Sequence, residues 1–335
     1  MNSPASDKIS RALVTGANGF MGLNLCTHLR AQGIATCGLI LPGSPRDALA
    51  ALAVEIVEAD IGSPLSPALF KGVSHVFHLA AIPFDWGPLD LFMRVNAEGT
   101  RHVLEASIAA SVHHVVHMSS LAVHAYDGHE HGDENTPRGW DLNGYTRSKN
   151  AAEDYVQQYR DRLMLTIIRP GIMPYGPGDR LSMPGLVEGL KRGIYRHVGG
   201  GYQRLCLSYI GNLVEGLQLA AERQGPSGEV YVLADEVLSW RELLKQIAST
   251  FDVTEAKNSI PYSVAYAAAV MMEKIWRMAR IKSAPPLTRY RIALFRGDLV
   301  FSSAKARREL GYRPKVGLAQ GLAMTKAWMK KEGLG

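Results

Sequence analysis

The first half of the chain alternates short apolar runs with segments of helical periodicity. Amphipathic patterns with a period near 3.6 cover residues 90–110 and 145–162. The apolar runs have the length and composition of strands and lie at 11–15, 34–41, 54–60, 74–81, 113–120 and 163–170. Strands that alternate with helices in this way predict a parallel sheet covered by helices on both faces. The predicted fold class is therefore α/β.

The pattern changes after Pro170. Residues 171–205 are rich in glycine and proline, and the following segments predict strands near 205–209 and 229–233 between helices near 210–223 and 239–250. We expect residues 1–170 to form a first domain that also takes later strands near 205–233. Residues 171–335 are expected to form, for the most part, a smaller and mostly helical second lobe.

The composition is that of an ordinary globular protein, with 47% hydrophobic and 20% charged residues. The three cysteines, Cys26, Cys37 and Cys206, form no C-x-x-C pair, which fits a reducing compartment. The polar N-terminus lacks the apolar segment of a secretion signal, and no run of 18 apolar residues occurs. We therefore expect a cytoplasmic protein that does not span a membrane.

Basic residues are concentrated near the C-terminus, although the net charge is only +6. Residues 274–315 contain twelve Lys or Arg against two acids, a local surplus of +10. Such a region suits nucleic acid, an anionic ligand or acidic lipid, but composition alone favours a solvated helical face. We expect no nucleic-acid partner. Peripheral contact with an anionic membrane surface and homodimer formation both stay open.

A glycine-rich motif follows the first predicted strand. The sequence TGANGFMG at 15–22 spaces its glycines as G-x-x-G-x-x-G directly between a strand and a helix. Glycine permits the tight turn and lets the backbone approach a pyrophosphate, which the helix N-terminus then stabilises. A plain turn would need only one of these glycines. The motif predicts a dinucleotide-binding loop with contacts from Gly16, Asn18, Gly19, Phe20, Met21 and Gly22.

Two further strand ends bear on the choice of dinucleotide. NAD-selective sites usually end the second strand with an acid that binds the ribose 2′-hydroxyl. Leu41 stands there instead, and the nearby Arg46 either reaches a 2′-phosphate or is a surface arginine. The pattern leans towards NADP(H) within an NAD(P) site. Asp60 ends the third strand, where its carboxylate accepts from an adenine amino group or caps a helix.

Tyr145 and Lys149 stand four residues apart at the start of a predicted helix, so their side chains lie on one face. A free tyrosine has a pKa of about 10, which a neighbouring ammonium lowers most where water is excluded. A surface helix pair is the alternative. Ser120 ends the fifth strand, at the sheet edge where ligands bind. These three residues predict acid–base chemistry beside the dinucleotide.

Taken together, these motifs resemble the extended short-chain dehydrogenase/reductase family over nearly the whole chain. The resemblance also rests on EADI at 58–61, HLAA at 78–81, VNAEGTRHVLEAS at 95–107, SS-x-x-V at 119–123, YTRSK at 145–149 and RPGIMPYGPGD at 169–179. It implies a Rossmann-type, doubly wound parallel sheet with a C-terminal substrate lobe.

The resemblance also implies roles for individual residues. Tyr145 would be the general acid/base, Lys149 would bind the nicotinamide ribose and lower the Tyr145 pKa, and Ser120 would hold the reacting oxygen. Asn96 would support the geometry of the site, and Ser119 is the alternative to Ser120. Cofactor contacts are further implied at Asp60, Ile61, Leu79, Ala80, Ala81, Tyr145, Lys149 and Pro170.

Nine of the eleven histidines lie between His75 and His131, which raises the hypothesis of a metal site. His113 and His117 could share one face of a strand, but no acid or cysteine completes a site with them. His78 belongs to the strand end beside the cofactor. We expect no metal.

Other residues narrow the choice within the family. Leu121 and Ala122 stand where sugar-nucleotide dehydratases typically carry an Asp-Glu pair, which disfavours dehydration. The sequence PPLTRY at 285–290 resembles the 3β-hydroxysteroid dehydrogenase branch, which includes sterol C4-decarboxylating dehydrogenases and long-chain β-keto acid reductases. This branch implies an oxidoreductase that interconverts a secondary alcohol and a ketone on a bulky apolar substrate. The alternatives are a nucleotide-sugar epimerase or reductase, and a non-catalytic NAD(P)-binding regulatory module.

Residues 262–281 form a helix candidate whose first half is apolar and whose second half carries Lys274, Arg277 and Arg280. Such a helix suits a lipid surface and the admission of an apolar substrate. A core helix with a solvated end is the alternative.

Overall fold

The computed structural model describes residues 8–334. The first seven residues, part of the polar N-terminus expected to lead into the first strand, and residue 335 lie outside the described range. The strands are β1 (Arg11–Thr15), β2 (Ala35–Ile40), β3 (Glu55–Glu58), β4 (His75–His78), β5 (His114–Met118), β6 (His129–Gly132), β7 (Met164–Pro170), β8 (Met173–Tyr175), β9 (His197–Val198), β10 (Arg204–Tyr209), β11 (Glu229–Leu233), β12 (Val237–Ser239), β13 (Ser259–Ile260) and β14 (Leu299–Phe301).

The α-helices account for most of the remaining regular structure. They are α1 (Phe20–Ala31), α2 (Asp47–Ala51), α3 (Leu89–Phe92), α4 (Gly99–Ala109), α5 (Gly144–Tyr159), α6 (Ser182–Lys191), α7 (Ile210–Ala221), α8 (Trp240–Phe251), α9 (Tyr262–Met278), α10 (Arg289–Ala293), α11 (Ala304–Glu309) and α12 (Leu318–Lys331). A π-helical segment, Met93–Glu98, joins α3 to α4.

Seven parallel strands form the main sheet in the order β3-β2-β1-β4-β5-β7-β11. The strand order reverses at β1 and β4, and in doubly wound folds dinucleotides bind in the crevice at this reversal. The predicted α/β fold with a Rossmann-type sheet is confirmed. Strand β11, from the second half of the chain, extends one edge of this sheet.

Apolar side chains of the main sheet alternate between two layers of core. Leu13 and Val76 belong to the layer that includes side chains of α4 and α5, whereas Val14 and Phe77 belong to the layer with α1 and α7. Strands buried on both faces read as nearly continuous apolar runs. This burial explains why the sequence pattern located these strands.

The C-terminal helices surround a second, smaller sheet. Its strands run in the order β12-β10-β14-β6, with β8 beside β10, and β13 pairs with β9 separately. The strand predicted near 205–209 is β10 of this sheet, whereas the one predicted near 229–233 is β11 of the main sheet. Strands β6 and β14 were not predicted, because they have only four and three residues and show no extended alternation.

Over residues 8–334, no helix combines the length and the apolar character needed to cross a membrane.

Candidate active site

The glycine loop between β1 and α1 has the shape of a phosphate cradle. Gly16 has φ +65°, and a Cβ placed there would stand 2.9 Å from the Ala80 Cα atom. A Cβ on Gly22 would stand 2.2 Å from the Gly16 carbonyl oxygen. Gly19 begins α1 without any side-chain cap, which leaves the first-turn N–H groups for an anion. The residues therefore fit the pyrophosphate of a dinucleotide.

The other predicted loop contacts border this cradle. The Asn18 side chain donates to the Pro45 carbonyl oxygen at 3.1 Å, so the loop is tied to the segment after β2. Phe20 and Met21 form the first turn of α1, and both are half-buried. A Cβ on Gly178 would stand 3.2 Å from the Phe20 ring, which places the RPGIMPYGPGD segment against this turn.

The carboxyl ends of β1 and β4 form the wall opposite α1. The Thr15 hydroxyl accepts from the backbone N–H groups of Leu79 and Ala80, each at 3.1 Å. Ala81 continues this segment, and Pro170 ends β7 at the same edge of the sheet. His78 contacts the Thr15 hydroxyl at 2.8 Å, and burial lowers its pKa to about 3. The imidazole is therefore neutral here.

The segments after β2 and β3 carry the two residues predicted to select the dinucleotide. Leu41 and Arg46 are both exposed, and the Arg46 guanidinium lies 3.5 Å from the Glu58 carboxylate. Asp60 accepts from the Gly62 N–H at 2.8 Å and from Arg94 at 3.2 Å. Because no helix begins at Asp60, the predicted helix-capping role is wrong, and its carboxylate closes a turn instead. Ile61 beside it is buried.

Helix α5 carries Tyr145 and Lys149 on one face, as the spacing predicted. The Asn143 side chain caps the helix and accepts from the Thr146 N–H at 2.9 Å, while the Thr146 hydroxyl accepts from the Asn143 N–H at 3.2 Å. This capping box fixes where the first turn begins. Tyr145 and Lys149 are both buried.

The two serines that end β5 point in different directions. Ser119 is buried and donates to a Glu153 carboxylate oxygen at 2.5 Å. Ser120 is half-buried, and its hydroxyl accepts from the Ala122 N–H at 3.1 Å. Burial raises the pKa of Tyr145, while a hydrogen bond with Ser120 lowers it. The structure therefore places Ser120, rather than Ser119, beside Tyr145.

The Lys149 side chain reaches the end of β5. Its ammonium donates to the Met118 carbonyl oxygen at 2.9 Å. Burial lowers the pKa of Lys149 to about 8, and the nearby Glu153 carboxylate raises it. For Tyr145 the group that lowers the pKa is Ser120, and the expected effect of the Lys149 ammonium stays a prediction.

Asn96 lies in the π-helical segment and does not face Tyr145 directly. Its side-chain oxygen accepts from the Ile82 N–H at 2.7 Å, and its amide donates to the Ile82 carbonyl at 3.1 Å and to the Ser148 hydroxyl at 3.0 Å. Asn96 therefore joins the segment after β4 to α5. Irregular π-helical turns of this kind are frequent at functional sites.

A buried ion pair behind the site was missed from the sequence. Arg169 of β7 donates to both carboxylate oxygens of Glu153, at 2.6 and 2.8 Å, and each side chain is only 2% exposed. Arg138 lies 3.4 Å from the same carboxylate. The spacing of Glu153, four residues after Lys149, offered a signal, since both lie on one helix face.

Apolar and aromatic groups surround Tyr145 and were also missed as a group. Buried members of this cluster are Phe92, Ala122, Tyr126, Ala293 and Leu299, and packed against them are Ile82, Trp140, Leu142, Ile172, Tyr290 and Leu294. The Tyr290 ring stands edge-on to the Tyr145 ring, with centroids 6.2 Å apart. The only signal in the sequence was the PPLTRY motif that contains Tyr290.

The histidines are dispersed. His113 precedes β5 rather than sharing a strand face with His117, and His114 bonds to Thr166 and the Ala221 carbonyl. In the described part of the chain, no three His, Cys, Asp or Glu side chains are placed to hold a metal ion.

Comparisons with known proteins agree with this geometry. The profile of the NAD dependent epimerase/dehydratase family matches residues 12–234. A 2-alkyl-3-oxoalkanoate reductase from Stenotrophomonas maltophilia is 30% identical over 95% of this chain and 98% of its own length. A decarboxylating sterol-4-alpha-carboxylate 3-dehydrogenase from Candida albicans is 25% identical over 98% of this chain and 99% of its own length.

Among solved structures, gox2253 matches with a TM-score of 0.81 and 30% sequence identity, covering 97% of this chain and 99% of that one. The chain belongs to the NAD dependent epimerase/dehydratase family, within the extended short-chain dehydrogenases/reductases. It is an NAD(P)-dependent oxidoreductase of that family.

The Tyr145 assignment is tested by substitution. Tyr145→Phe should lower kcat by at least ~10²-fold, because it removes the hydroxyl expected to transfer the proton. Dinucleotide affinity, measured by fluorescence titration, should change little. Lys149→Ala should weaken both turnover and dinucleotide binding, since its ammonium is expected to contact the nicotinamide ribose and to lower the pKa of Tyr145.

Tyr159→Phe is the matched control, because it removes a hydroxyl from the far end of the same helix, where Tyr159 contacts Glu105. Near-normal turnover by Tyr145→Phe would contradict the assignment.

Proposed function

We propose that the protein interconverts a secondary alcohol and a ketone on a bulky apolar substrate. The observation that carries this proposal is the cluster of apolar and aromatic side chains packed with Tyr145, beside which Ser120 is the hydrogen-bond partner of the phenol. A nucleotide sugar would need charged or amide groups for its phosphates and hydroxyls, and burying those groups without partners is costly. We assign cofactor binding chiefly to residues 1–170 and substrate binding largely to 171–335.

The reduction joins a hydride and a proton to one carbonyl group. When bound, the dinucleotide would supply the hydride that the carbonyl carbon accepts as the C=O bond becomes C–O. Tyr145 gives its phenol proton to the carbonyl oxygen, while Ser120 holds that oxygen by a hydrogen bond. Because burial raises the pKa of Tyr145, the phenol carries its proton at neutral pH. In oxidation the alcohol proton passes to the Tyr145 phenolate, and the oxidised dinucleotide would accept the hydride.

The names of the relatives support this substrate class. One relative reduces 2-alkyl-3-oxoalkanoates, and another dehydrogenates sterol-4-alpha-carboxylates at position 3. Both names place the reacting oxygen at position 3 of a molecule that carries a carboxylate, on an alkanoate chain or on a sterol. The intact Ser120, Tyr145 and Lys149 set argues against a purely regulatory binding module, which needs no acid–base group.

A substrate panel tests the proposal. Long-chain 3-hydroxyalkanoates, sterols and UDP-sugars would each be incubated with NAD⁺ and NADP⁺, and absorbance at 340 nm followed. We expect turnover with members of the apolar classes and none with UDP-sugars. Epimerisation of a UDP-sugar, detected by chromatography, without oxidation of any apolar alcohol would establish the epimerase alternative instead.

The choice of dinucleotide rests on the segment after β2. We propose that the site accepts NADP(H) at least as well as NAD(H), because Leu41 replaces the usual acid and the exposed Arg46 lies near Glu58. Arg46→Ala should weaken NADP(H) binding selectively, by about 10-fold or more, the scale of one charge-assisted hydrogen bond. Titration of both dinucleotides measures this.

Arg192→Ala is the control, since that exposed arginine pairs with Glu188 on α6. A strong preference for NAD(H) that Arg46→Ala leaves unchanged would contradict the proposal that the site accepts NADP(H) at least as well as NAD(H).

Helix α9 supports peripheral contact with an anionic membrane. Val264, Met271, Ile275 and Met278 fall on one face at helical spacing and are 57%, 63%, 50% and 85% exposed. The opposite face is buried through Ala265, Ala269 and Glu273. These four exposed side chains form an apolar stripe. The stripe continues into the second half of the helix, for which the sequence predicted a basic character.

The basic surplus between 274 and 315 is smaller in effect than its count suggests. Six of its twelve members form ion pairs with acids, among them Arg291 with Asp85 and Lys305 with Glu229. Lys274 and Arg280 lie beside the stripe and are exposed. Each such residue near an anionic surface contributes about 1 kcal/mol of attraction.

Co-sedimentation with anionic liposomes tests the contact. We expect weak binding at low salt that high salt abolishes, and at least ~10-fold weaker binding after Lys274→Glu with Arg280→Glu. Lys330→Glu with Lys331→Glu on α12 is the control. Protein that stays in the supernatant at low salt contradicts the contact, and dimers that Met278→Ser dissociates would assign the stripe to a second copy.

A further inference from the structure

Two tyrosine hydroxyls meet beside Tyr145 without a role in the chemistry described so far. Tyr126 follows Ser120 by six residues and is 3% exposed, whereas Tyr290 comes from α10. Their oxygens are 3.3 Å apart. This separation is longer than the 2.7–2.8 Å typical of O–H···O bonds, so the pair is loosely joined.

The pair has hydrogen-bonding capacity to spare. Each phenol can donate one hydrogen bond and can also accept one. A single hydrogen bond between the two hydroxyls uses the O–H group of only one of them. Within residues 8–334, these two hydroxyls make no other hydrogen bond that we identify. One O–H donor is thus left without a partner in the described structure, beside the apolar cluster that contains both rings, and a ligand oxygen placed there could accept it.

The pair is also held in place. Trp140 stacks on Tyr290 with ring centroids 5.9 Å apart and contacts Tyr126 at 4.5 Å. Thr288 caps α10 by accepting from the Arg291 N–H at 3.1 Å. Because the rings cannot turn away without disrupting this packing, the two hydroxyl oxygens keep their positions.

The position is next to the reacting group. The rings of Tyr145 and Tyr290 are 6.2 Å apart and perpendicular, and Tyr126 packs against Tyr290 at 5.6 Å. A substrate whose carbonyl oxygen binds Tyr145 would present its neighbouring carbons to the hydroxyl pair. The donor therefore suits an acceptor oxygen attached close to the reacting carbon.

We propose that the Tyr126–Tyr290 hydroxyl pair binds a second substrate oxygen, that of a carboxyl group attached to the carbon next to the reacting carbon, and thereby selects substrates that have it. The inference rests on the proposed alcohol–ketone oxidoreduction. The acceptor is a carboxylate or an ester carbonyl, which share the geometry and differ in charge. Tyr126 and Tyr290 are specificity-determining residues, not proton donors to the reacting oxygen.

The test uses three alcohols of matched chain length: a 3-hydroxyalkanoate, its methyl ester, and the secondary alcohol that lacks the carboxyl group. For each, kcat and KM are measured with wild type, Tyr290→Phe and Tyr126→Phe. The quantity compared is a ratio of two kcat/KM values. The numerator is kcat/KM for the 3-hydroxyalkanoate or its methyl ester, and the denominator is kcat/KM for the secondary alcohol that lacks the carboxyl group. Tyr202→Phe is the control, since that ring is 70% exposed.

Tyr126→Phe and Tyr290→Phe should each lower this ratio, by at least ~10-fold for the carboxylate or by at least ~3-fold for the ester. The loss should come chiefly from a higher KM for that substrate. Tyr202→Phe should leave the ratio unchanged. The larger of the two losses identifies the natural acceptor. Thermal unfolding checks that the variants fold. Tyr126→Phe and Tyr290→Phe each remove one hydroxyl of the same pair, and the two residues belong to different parts of the chain. The test can therefore be completed with either variant, provided that it folds.

An unchanged ratio in the folded variants, or a parallel loss for all three alcohols, would overturn the inference while leaving the proposed function intact. If wild type oxidises none of these three alcohols, the inference is overturned, and the proposed function fails as well only when the sterols of the substrate panel are also not oxidised.

Discussion

The catalytic helix is fixed to the sheet by one buried ion pair. Glu153 and Arg169 are almost completely removed from water, and each ion loses several kcal/mol of hydration on burial. The pair is stable only because both carboxylate oxygens accept from Arg169 and one also accepts from Ser119. This arrangement locks α5 against β7 and β5. It therefore fixes the position of Lys149, which lies one helical turn before Glu153. It also holds Ser119 at the ion pair, so that Ser120 is the serine beside Tyr145.

Burial around that pair also determines where the site keeps its proton. Desolvation raises the pKa of Tyr145 and lowers that of Lys149 to about 8, because each neutral form is favoured away from water. The Glu153 carboxylate opposes the second shift, so Lys149 is still mainly an ammonium at pH 7. The phenol and the ammonium are thus both protonated at neutral pH. Such a site can give a proton to a ketone without first gaining one.

The sequence predicted what short-range patterns encode. Buried strands, the glycine loop and the Tyr145–Lys149 helix face all follow from spacing within a few residues. The ion pair of Glu153 with Arg169 and the contact of Tyr126 with Tyr290 could not be predicted in this way. The second joins positions 164 residues apart, and only the folded chain brings them together. Of the two interpretations of Asp60, the helix cap was wrong because the carboxylate accepts from the Gly62 N–H and from Arg94 of another element, whereas the adenine contact stays a prediction.

The two halves of the chain meet at the carboxylate of Asp85, in the segment after β4. Its side chain is 8% exposed and is bound by Thr288 and, at 2.8 Å, by Arg291 of α10. Its carbonyl oxygen accepts from Asn143, the residue that caps α5. One residue thus connects the start of the catalytic helix with the helix that carries Tyr290. Under the proposed function the substrate lies beside both helices, so we expect a change at this contact to alter specificity even though Asp85 belongs to neither helix.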